Sequence, residues 1–312
     1  MKILIAGELN VDLVLHGYQF FPTLGREVLV EDASLTLGSS SAICAAGLVK
    51  LGNHVSLVAK LGCDTFGSLC LDALVQLGVD CSSIVRDASI KTGITVSISS
   101  TQDRALMTYL GSIAALRASD ISDDAVRSCR HLHVSSFFLQ QALRPELKSL
   151  FARAHRHGLT TSLDPGFDPS EGWSRDLIDV LTEVDVFLPN EIELESITGV
   201  HDRHSALRAL TNERTLVVAK LGSDGCMAFR GGEIVSVPAF PVNAVDTTGA
   251  GDSFDAGFLH AWLRGKDLED AMRFGAACGA LSTEGISGTA AQASEVQAND
   301  LMRKVELIRH KN

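Results

Sequence analysis

The chain has no dense run of lysine and arginine, and its 27 basic residues are outnumbered by 38 acidic ones, which gives a formal net charge of −11. A nucleic-acid partner is therefore not expected, because such proteins carry a concentrated basic patch for the phosphate backbone. A phosphate ligand would need a local site built from a few groups.

Long apolar segments are also missing. The apolar run near the N-terminus covers only Ile3 to Ala6, which is too short for the core of a signal peptide, and no stretch approaches the roughly 18 apolar residues of a membrane span. The seven cysteines are scattered and contain no Cys-x-x-Cys pair, as is typical of free thiols in a reducing compartment. We therefore expect a cytoplasmic protein with no membrane partner.

Several common site signatures are absent as well. No Gly-x-x-x-x-Gly-Lys-Ser/Thr string occurs, which disfavours a P-loop nucleotide site, and Ser39–Ser41 lacks the Gly-x-Ser-x-Gly pattern of a hydrolase. The histidine pairs lack cysteine partners and a His-Glu-x-x-His motif, so no zinc site is predicted. Gly249 and Gly251 lack the correctly placed third glycine of a dinucleotide fingerprint.

A regular alternation of apolar strands and helices runs along most of the 312 residues. It predicts one α/β domain over 1–312, with a mostly parallel central sheet flanked by helices on both faces. Two stretches, at about 13–36 and 92–109, break this rhythm and predict short strands, with a turn at Gln102–Asp103 in the second.

The segment from Asp246 to His260 begins with small residues and runs into an apolar pattern with helical spacing. The amides of Gly249, Ala250 and Gly251 would then lie at a helix N-terminus, where they could bind an anion. Asp252, in the first turn, could accept a proton from a hydroxyl while these amides stabilise a transferred group. From this fragment alone, a tight turn with a capping aspartate is the alternative.

Two polar pairs follow predicted strands. Asn10 and Asp12 face the same way in an extended chain, which suits adjacent sugar hydroxyls or a simple polar turn. Asn190 and Glu193 would share one face of an acidic first helical turn, where they could orient a hydrated Mg²⁺ and a phosphate, or only cap the helix.

The turn Lys220-Leu-Gly-Ser-Asp-Gly225 follows another strand. It offers one cation and exposed amides at Gly222, Ser223 and Gly225, which is a modest signal for nucleotide phosphates. A plain hairpin turn explains the same residues.

The string Asp246-Thr-x-Gly-Ala-Gly-Asp252, followed by Ala256-Gly-Phe-Leu259, closely resembles the C-terminal signature of the ribokinase-like carbohydrate kinases, the PfkB family. The four motifs above stand in that family's order. The resemblance implies a ribokinase-like fold with a small β-sheet lid at about 13–36 and 92–109, which often pairs with a second subunit. It also implies that Asp252 is the general base and that the Gly249–Gly251 amides hold the phosphoryl group.

The same resemblance implies an ATP-dependent phosphotransferase that uses Mg²⁺ and acts on a hydroxyl of a sugar or sugar-like molecule. A nucleoside kinase of this fold and a non-catalytic sugar sensor are the alternatives. The implied acceptor-site residues are Asn10, Asp12, Gly38, Ser39, Ser40 and Phe137. The implied ATP-site residues are Asn190, Glu193, Lys220, Gly222, Ser223 and Gly225. Asp246 and Thr248 would bind a monovalent cation such as K⁺ through backbone oxygens.

One departure from the family bears on the acceptor. Where many members have Gly-Gly-x-x-x-Asn, this chain has Ser39 in place of the second glycine and Ile43 in place of the asparagine. Together with Phe137 and Phe138, which follow a predicted strand, this substitution predicts a less polar face in the acceptor pocket. Core packing of the same side chains is the alternative.

Overall fold

A computed structural model describes residues 1–99 and 104–309, and an eight-stranded sheet organises the chain. In spatial order the strands are β14 (Glu233–Val237), β13 (Cys226–Arg230), β12 (Leu216–Lys220), β11 (Val186–Phe187), β10 (Thr160–Leu163), β9 (His131–Val134), β1 (Lys2–Ala6) and β4 (His54–Val58). The strands from β12 to β4 are parallel, and β13 and β14 form an antiparallel hairpin at one edge. The predicted mostly parallel sheet is confirmed.

Helices cover both faces of this sheet. One face carries α1 (Ser40–Lys50), α2 (Thr65–Gln76), α8 (Ala250–Trp262), α9 (Leu268–Ser282) and α10 (Glu295–Arg309). The other carries α3 (Asp123–Arg127), α4 (Leu147–Arg156), α5 (Asp176–Leu181), α6 (Glu191–Thr198) and α7 (Arg203–Leu210). Alternate residues of β1 therefore enter different cores: Ile3 and Ile5 pack on the α8 face, and Leu4 and Ala6 pack on the α4 face. This is why the strand is apolar throughout.

A second, four-stranded sheet is built from the two stretches that break the alternation. Its order is β3 (Asp32–Leu37), β2 (Asn10–His16), β7 (Gly93–Ser99) and β8 (Arg104–Tyr109), and we call it the lid sheet. β2 begins at Asn10, before the predicted start of the insertion. The predicted turn at Gln102–Asp103 lies outside the described residues. A further two-stranded sheet pairs β5 (Lys60–Gly62) with β6 (Val85–Asp87).

A ladder of polar side chains crosses the core on the α8 face. Thr160 Oγ1 lies 2.8 Å from His131 Nδ1, and His131 Nε2 lies 2.7 Å from Ser162 Oγ. The same hydroxyl lies 2.7 Å from His133 Nδ1, and His133 Nε2 lies 2.9 Å from Ser135 Oγ. Both imidazoles are fully buried and are hydrogen-bonded to hydroxyls on β10 and to Ser135, which directly follows β9.

A long loop follows β10. α5 begins only at Asp176, because the Asp168 carboxylate accepts hydrogen bonds from the amides of Ser170 at 2.9 Å and Trp173 at 2.8 Å. Glu171 and Trp173 also have positive φ, which a helix cannot accommodate. Residues 164–175 therefore form an ordered loop at the carboxyl edge of the sheet.

Within residues 1–99 and 104–309, none of the helices has both the length and the apolar character needed to cross a lipid bilayer. All seven cysteines are free thiols, as the sequence pattern predicts. No disulfide bond therefore cross-links these cysteines.

Candidate active site

Polar side chains gather where the parallel strands end. The set comprises Glu8 and Asn10 after β1, Ser136 after β9, Asp164 after β10, Asn190 after β11 and Lys220 at the end of β12. In open parallel sheets, ligands bind at this carboxyl edge. The edge therefore forms the candidate site, and three of these residues, Asn10, Asn190 and Lys220, are predicted from the sequence.

The glycine loop before α8 has the predicted position at a helix start. Gly249 is the N-cap with φ 72°, and a Cβ there would lie 2.8 Å from Gly288 Cα and 3.0 Å from Ile43 Cγ2, so only glycine fits. The Ala250 amide donates to Thr247 O at 3.2 Å, which closes the turn. Of the three predicted donors, this hydrogen bond engages Ala250 and leaves Gly249 and Gly251 as candidates for binding an anion.

Asp252 lies half-buried in the first turn of α8. Its pKa is raised to about 7: burial is the largest cause, the negative charges of Asp164 and Glu8 add to it, and Lys220 and the side chain of Ser40 offset part of the rise. A carboxylate that titrates near neutral pH is suited to accepting a proton. The structure thus places a candidate base beside the predicted anion-binding amides.

Lys220 is held by two carboxylates that sequence reasoning did not assign to the site. Its Nζ lies 2.6 Å from Asp164 Oδ2 and 3.1 Å from both carboxylate oxygens of Asp255. A Cβ at Gly251 would lie 3.5 Å from the same nitrogen, so the ammonium group lies beneath the glycine loop. The charge of Lys220 is thus paired inside the protein, and its contact with ATP stays a prediction.

The pKa values of the two carboxyl groups are shifted in opposite directions. Burial raises the pKa of Asp255 well above its ordinary value, and Lys220 only partly offsets this. Burial also raises the pKa of Asp164, but the charge of Lys220 and the hydrogen bonds outweigh it, so the net pKa is lowered. Burial thus favours the protonated form of Asp255, whereas Lys220 favours the charged form of Asp164, its nearer partner.

Asn190 and Glu193 form a capping box at the start of α6. The Glu193 amide donates to Asn190 Oδ1 at 2.9 Å, and the Asn190 amide donates to Glu193 Oε2 at 2.8 Å. Burial raises the pKa of Glu193 to about 8, with a further contribution from Asp164. Asn190 and Glu193 thus cap the helix, which was the alternative to a role in binding Mg²⁺ and phosphate. Asn190 also forms an isolated parallel bridge with Lys220.

Asn10 and Asp12 point to the same side of β2, as the extended pattern predicts. Asn10 Nδ2 donates to Asp12 Oδ1 at 2.8 Å, and a Cβ at Gly38 would lie 2.1 Å from the same oxygen. Gly38 is required here because the two polar side chains occupy the space beside it. Ser39 caps α1, and Ser40 contacts Asp252, so the turn joins the lid sheet to the candidate base.

Phe137 and Ile43 do not line an exposed pocket, and this part of the prediction is wrong. Phe137 has no exposed surface: its ring centroid lies 5.1 Å from that of Phe138 and 4.8 Å from the guanidinium carbon of Arg144. Ile43 is only 4% exposed and packs against Gly249 and Gly288. Both side chains belong to the core, which was the packing alternative.

The loops around the site are tied by Asp246. Its carboxylate accepts hydrogen bonds from the amides of Thr248 and Ser287, each at 2.9 Å, and its own amide donates to Thr283 O at 3.1 Å. These contacts fix the segment that leads into Gly249. The predicted monovalent-cation site at Asp246 and Thr248 stays a prediction.

The turn after Lys220 has the predicted hairpin form. Gly222 and Ser223 are exposed, and Gly225 has φ 95° with Val237 O only 2.0 Å from where its Cβ would lie. The turn therefore presents its backbone at the open edge of the sheet. Binding of a nucleotide there stays a prediction.

A family model described as "pfkB family carbohydrate kinase" matches residues 1–294. The chain belongs to the pfkB family of carbohydrate kinases. This kinase is 31% identical over 229 residues to an uncharacterized sugar kinase of Archaeoglobus fulgidus, which covers 73% of the chain and 91% of the relative. It is 30% identical to an ATP-dependent ribose-1-phosphate kinase of Halopiger xanaduensis, with 90% of the chain and 92% of the relative covered.

Solved structures agree on the fold. The kinase superposes on Arabidopsis thaliana ribokinase, solved with ribose and ATP, with a TM-score of 0.85 and 24% identity, covering 97% of the chain and 98% of that structure. The predicted ribokinase-like fold is confirmed. The chain is thus a sugar or nucleoside kinase, and the assignment of individual residues rests on the geometry above.

Proposed function

We propose that this kinase transfers the terminal phosphoryl group of ATP to a hydroxyl of a small sugar, with Asp252 as the general base. The observation that carries the proposal is the position of Asp252, whose pKa is raised to about 7, in the same helical turn as the Gly249 and Gly251 amides. Base and anion-binding donors are then held by one rigid element. Positioning and electrostatic stabilisation account for most catalysis of phosphoryl transfer.

The roles follow from this arrangement. Asp252 accepts the proton of the acceptor hydroxyl, and the amides of Gly249 and Gly251 stabilise charge on the transferred group. Lys220 lies beneath this loop, where its paired charge limits the repulsion between Asp164 and Asp252. Gly222, Ser223 and Gly225 would border the nucleotide, and Asn10, Asp12, Gly38 and Ser40 would face the acceptor.

The donor set is compatible with Mg²⁺ near the nucleotide phosphates. Carboxylate oxygens of Asp164, Asp252 and Asp255 lie within 4.8 Å of one another, and this is the ligand chemistry that Mg²⁺ prefers. Because Lys220 already engages Asp164 and Asp255, we infer that Asn190 and Glu193 hold the ion through its waters. When bound, the ion would neutralise phosphate charge.

A sugar is favoured over a nucleoside as the acceptor. Asn10 and Asp12 form a compact pair of hydrogen-bonding groups beside Gly38, which suits adjacent hydroxyls. The relative from Halopiger xanaduensis is described as a kinase of ribose 1-phosphate, which is also a small sugar derivative. By family resemblance, K⁺ bound by backbone oxygens of Asp246 and Thr248 would activate the enzyme, so exchanging K⁺ for a large organic cation would lower the rate.

Acceptor-dependent release of ADP tests the proposal. Sugars, phosphorylated sugars and nucleosides are offered in parallel to the wild type and to Asp252→Asn. We expect one sugar class to stimulate ADP release and the variant to lose about 100-fold or more of kcat while it still binds ATP. A nucleoside as the best acceptor would favour the alternative kinase, and ATP binding without turnover on any acceptor would favour the sugar sensor.

A further inference from the structure

A buried carboxylate lies beneath the first turn of α1. Glu8 follows β1 and is only 2% exposed. Its Oε1 accepts hydrogen bonds from the Ser41 amide at 3.2 Å and the Ser136 hydroxyl at 3.1 Å, and the Ser39 hydroxyl oxygen lies 3.3 Å from the same atom. Its Oε2 accepts from the Ser41 hydroxyl at 2.7 Å. One side chain thus joins the end of β1, the start of α1 and the loop after β9.

Two of the serines that bind Glu8 have a left-handed backbone. Ser39 has φ 81° and Ser136 has φ 56°, a region that residues other than glycine rarely adopt. Such a conformation persists only where the surroundings hold it. The Ser39 hydroxyl donates to Glu8 O at 2.6 Å and accepts from the Ala42 amide at 3.0 Å. The main chain of Glu8 and the start of α1 therefore hold the Ser39 hydroxyl, and the Glu8 carboxylate adds a longer contact of 3.3 Å.

The first turn of α1 leads directly to the reacting groups. Ser40 lies between the two serines that contact Glu8, and its side chain is close enough to the Asp252 carboxyl to lower the pKa of that group. A Cβ at Gly7 would lie 1.9 Å from Ser41 Oγ, so β1 and α1 approach each other as closely as glycine allows. A shift of this turn would move Ser40 relative to Asp252.

We propose that Glu8 is a positioning residue, which fixes the first turn of α1 and thereby holds Ser40 against Asp252 and Gly38 beside the acceptor. This inference rests on the proposed function, because it takes Asp252 as the base. Glu8 acts through the serines and does not touch the reacting atoms. Many relatives have a second glycine in this turn. Here the position is occupied by Ser39, and contacts with Glu8 support the turn instead.

Glu8→Gln keeps the shape of the side chain, but its amide nitrogen cannot accept one of the serine hydrogen bonds. We expect kcat to fall about 10- to 100-fold while the KM for ATP stays within about twofold, because small displacements of reacting groups have effects of this size. Asp80→Asn is the matched control: Asp80 also accepts from a serine hydroxyl, Ser56 Oγ at 2.8 Å, away from the site. A Glu8→Gln enzyme with kcat within about threefold of wild type would overturn the proposal, as would an equal loss in the control.

Ser39→Gly in the Glu8→Gln background provides a rescue experiment. Glycine adopts the Ser39 conformation without strain, so the double variant should recover a large part of the lost kcat. A double variant no more active than Glu8→Gln would overturn the proposal. If Glu8→Gln does not fold, Ser41→Ala removes only the Oε2 bond, and an unchanged kcat in that variant would again count against it.

Failure of the underlying function gives a different pattern. If Asp252→Asn turns over like the wild type, both the base assignment and the role of Glu8 are overturned. If Asp252→Asn is inactive and Glu8→Gln is as active as wild type, only the role of Glu8 is overturned. The two ideas are therefore separated by measuring both variants with the same acceptor.

Discussion

The ammonium nitrogen of Lys220 lies 2.6 Å from Oδ2 of Asp164, and the side chains are only 11% and 8% exposed. A pair this deeply buried is sensitive to the loss of one member, because the remaining charge has neither water nor a counter-ion. The pair lies at the ends of two strands separated in the sheet by β11. It therefore links the carboxyl edge of the sheet across the candidate site.

Lys220→Met is expected to destabilise the protein by about 3 kcal/mol, as is typical when one partner of a buried pair is removed. Urea unfolding measures this loss. Restoring charge balance with Asp164→Asn in the same chain should recover part of the stability. A Lys220→Met protein of wild-type stability with only a raised KM for ATP would instead support a lysine that mainly contacts the nucleotide.

The pH dependence of activity follows from Asp252. Because burial raises its pKa to about 7, the base is protonated below that pH, and kcat/KM should fall as the pH drops through about 7. Asp164→Asn removes a negative neighbour that raises the pKa of Asp252 and keeps Lys220, which lowers it, so the acidic limb should move to lower pH. Glu8, Glu193 and Asp255 also lie near Asp252, and they are the same in the wild type and in the Asp164→Asn variant. An acidic limb near pH 4 in the wild type would contradict the assignment.

The buried histidine ladder makes stability depend on pH. Burial lowers the pKa of His133 from 6.5 to about 4, so protonation favours the unfolded chain and stability is lost as the pH falls below about 6.5. Between pH 7 and pH 5 this residue should cost about 2 kcal/mol. His133→Asn should reduce the pH dependence by that amount in urea unfolding. His201→Asn, at an exposed side chain, is the matched control for the substitution itself.

The lid sheet offers an apolar edge to a second copy of the chain. Leu106, Met107 and Tyr109 on β8 are all more than half exposed, and β8 is an edge strand of the lid sheet. We expect a homodimer, because a small projecting sheet gains stability by pairing. Met107→Asp should shift the sedimentation of the protein toward a monomer without loss of fold. A wild-type monomer at micromolar concentration would contradict the prediction.

Local features of the site were predictable from the sequence, whereas its long-range contacts were not. The start of α8 at Ala250 and the shared direction of Asn10 and Asp12 depend on residues close in the chain, so spacing alone predicts them. The contacts of Lys220 with Asp164 and Asp255 span 56 and 35 residues and depend on how the strands are ordered. No local pattern records that order.

The error at Phe137 has a similar cause. An aromatic residue after a strand can point into the pocket or into the core, and the sequence does not distinguish the two. Here the positive φ of Ser136 turns the chain, and Phe137 packs under Arg144. A glycine at position 136 would have signalled such a turn, but the residue there is serine. The direction of the Phe137 ring was therefore not predictable.

Gly249 packs between one residue from an early part of the chain and one from a late part. Ile43 packs on one side of it and Gly288 on the other, and Gln292 Nε2 donates to Ile43 O at 2.8 Å. During synthesis on the ribosome, the last strand of the main sheet, β14, ends at Val237, but the packing around Gly249 is complete only after residues 288–292 have emerged. A nascent or truncated chain could therefore complete its sheet while it still lacks a finished reaction centre.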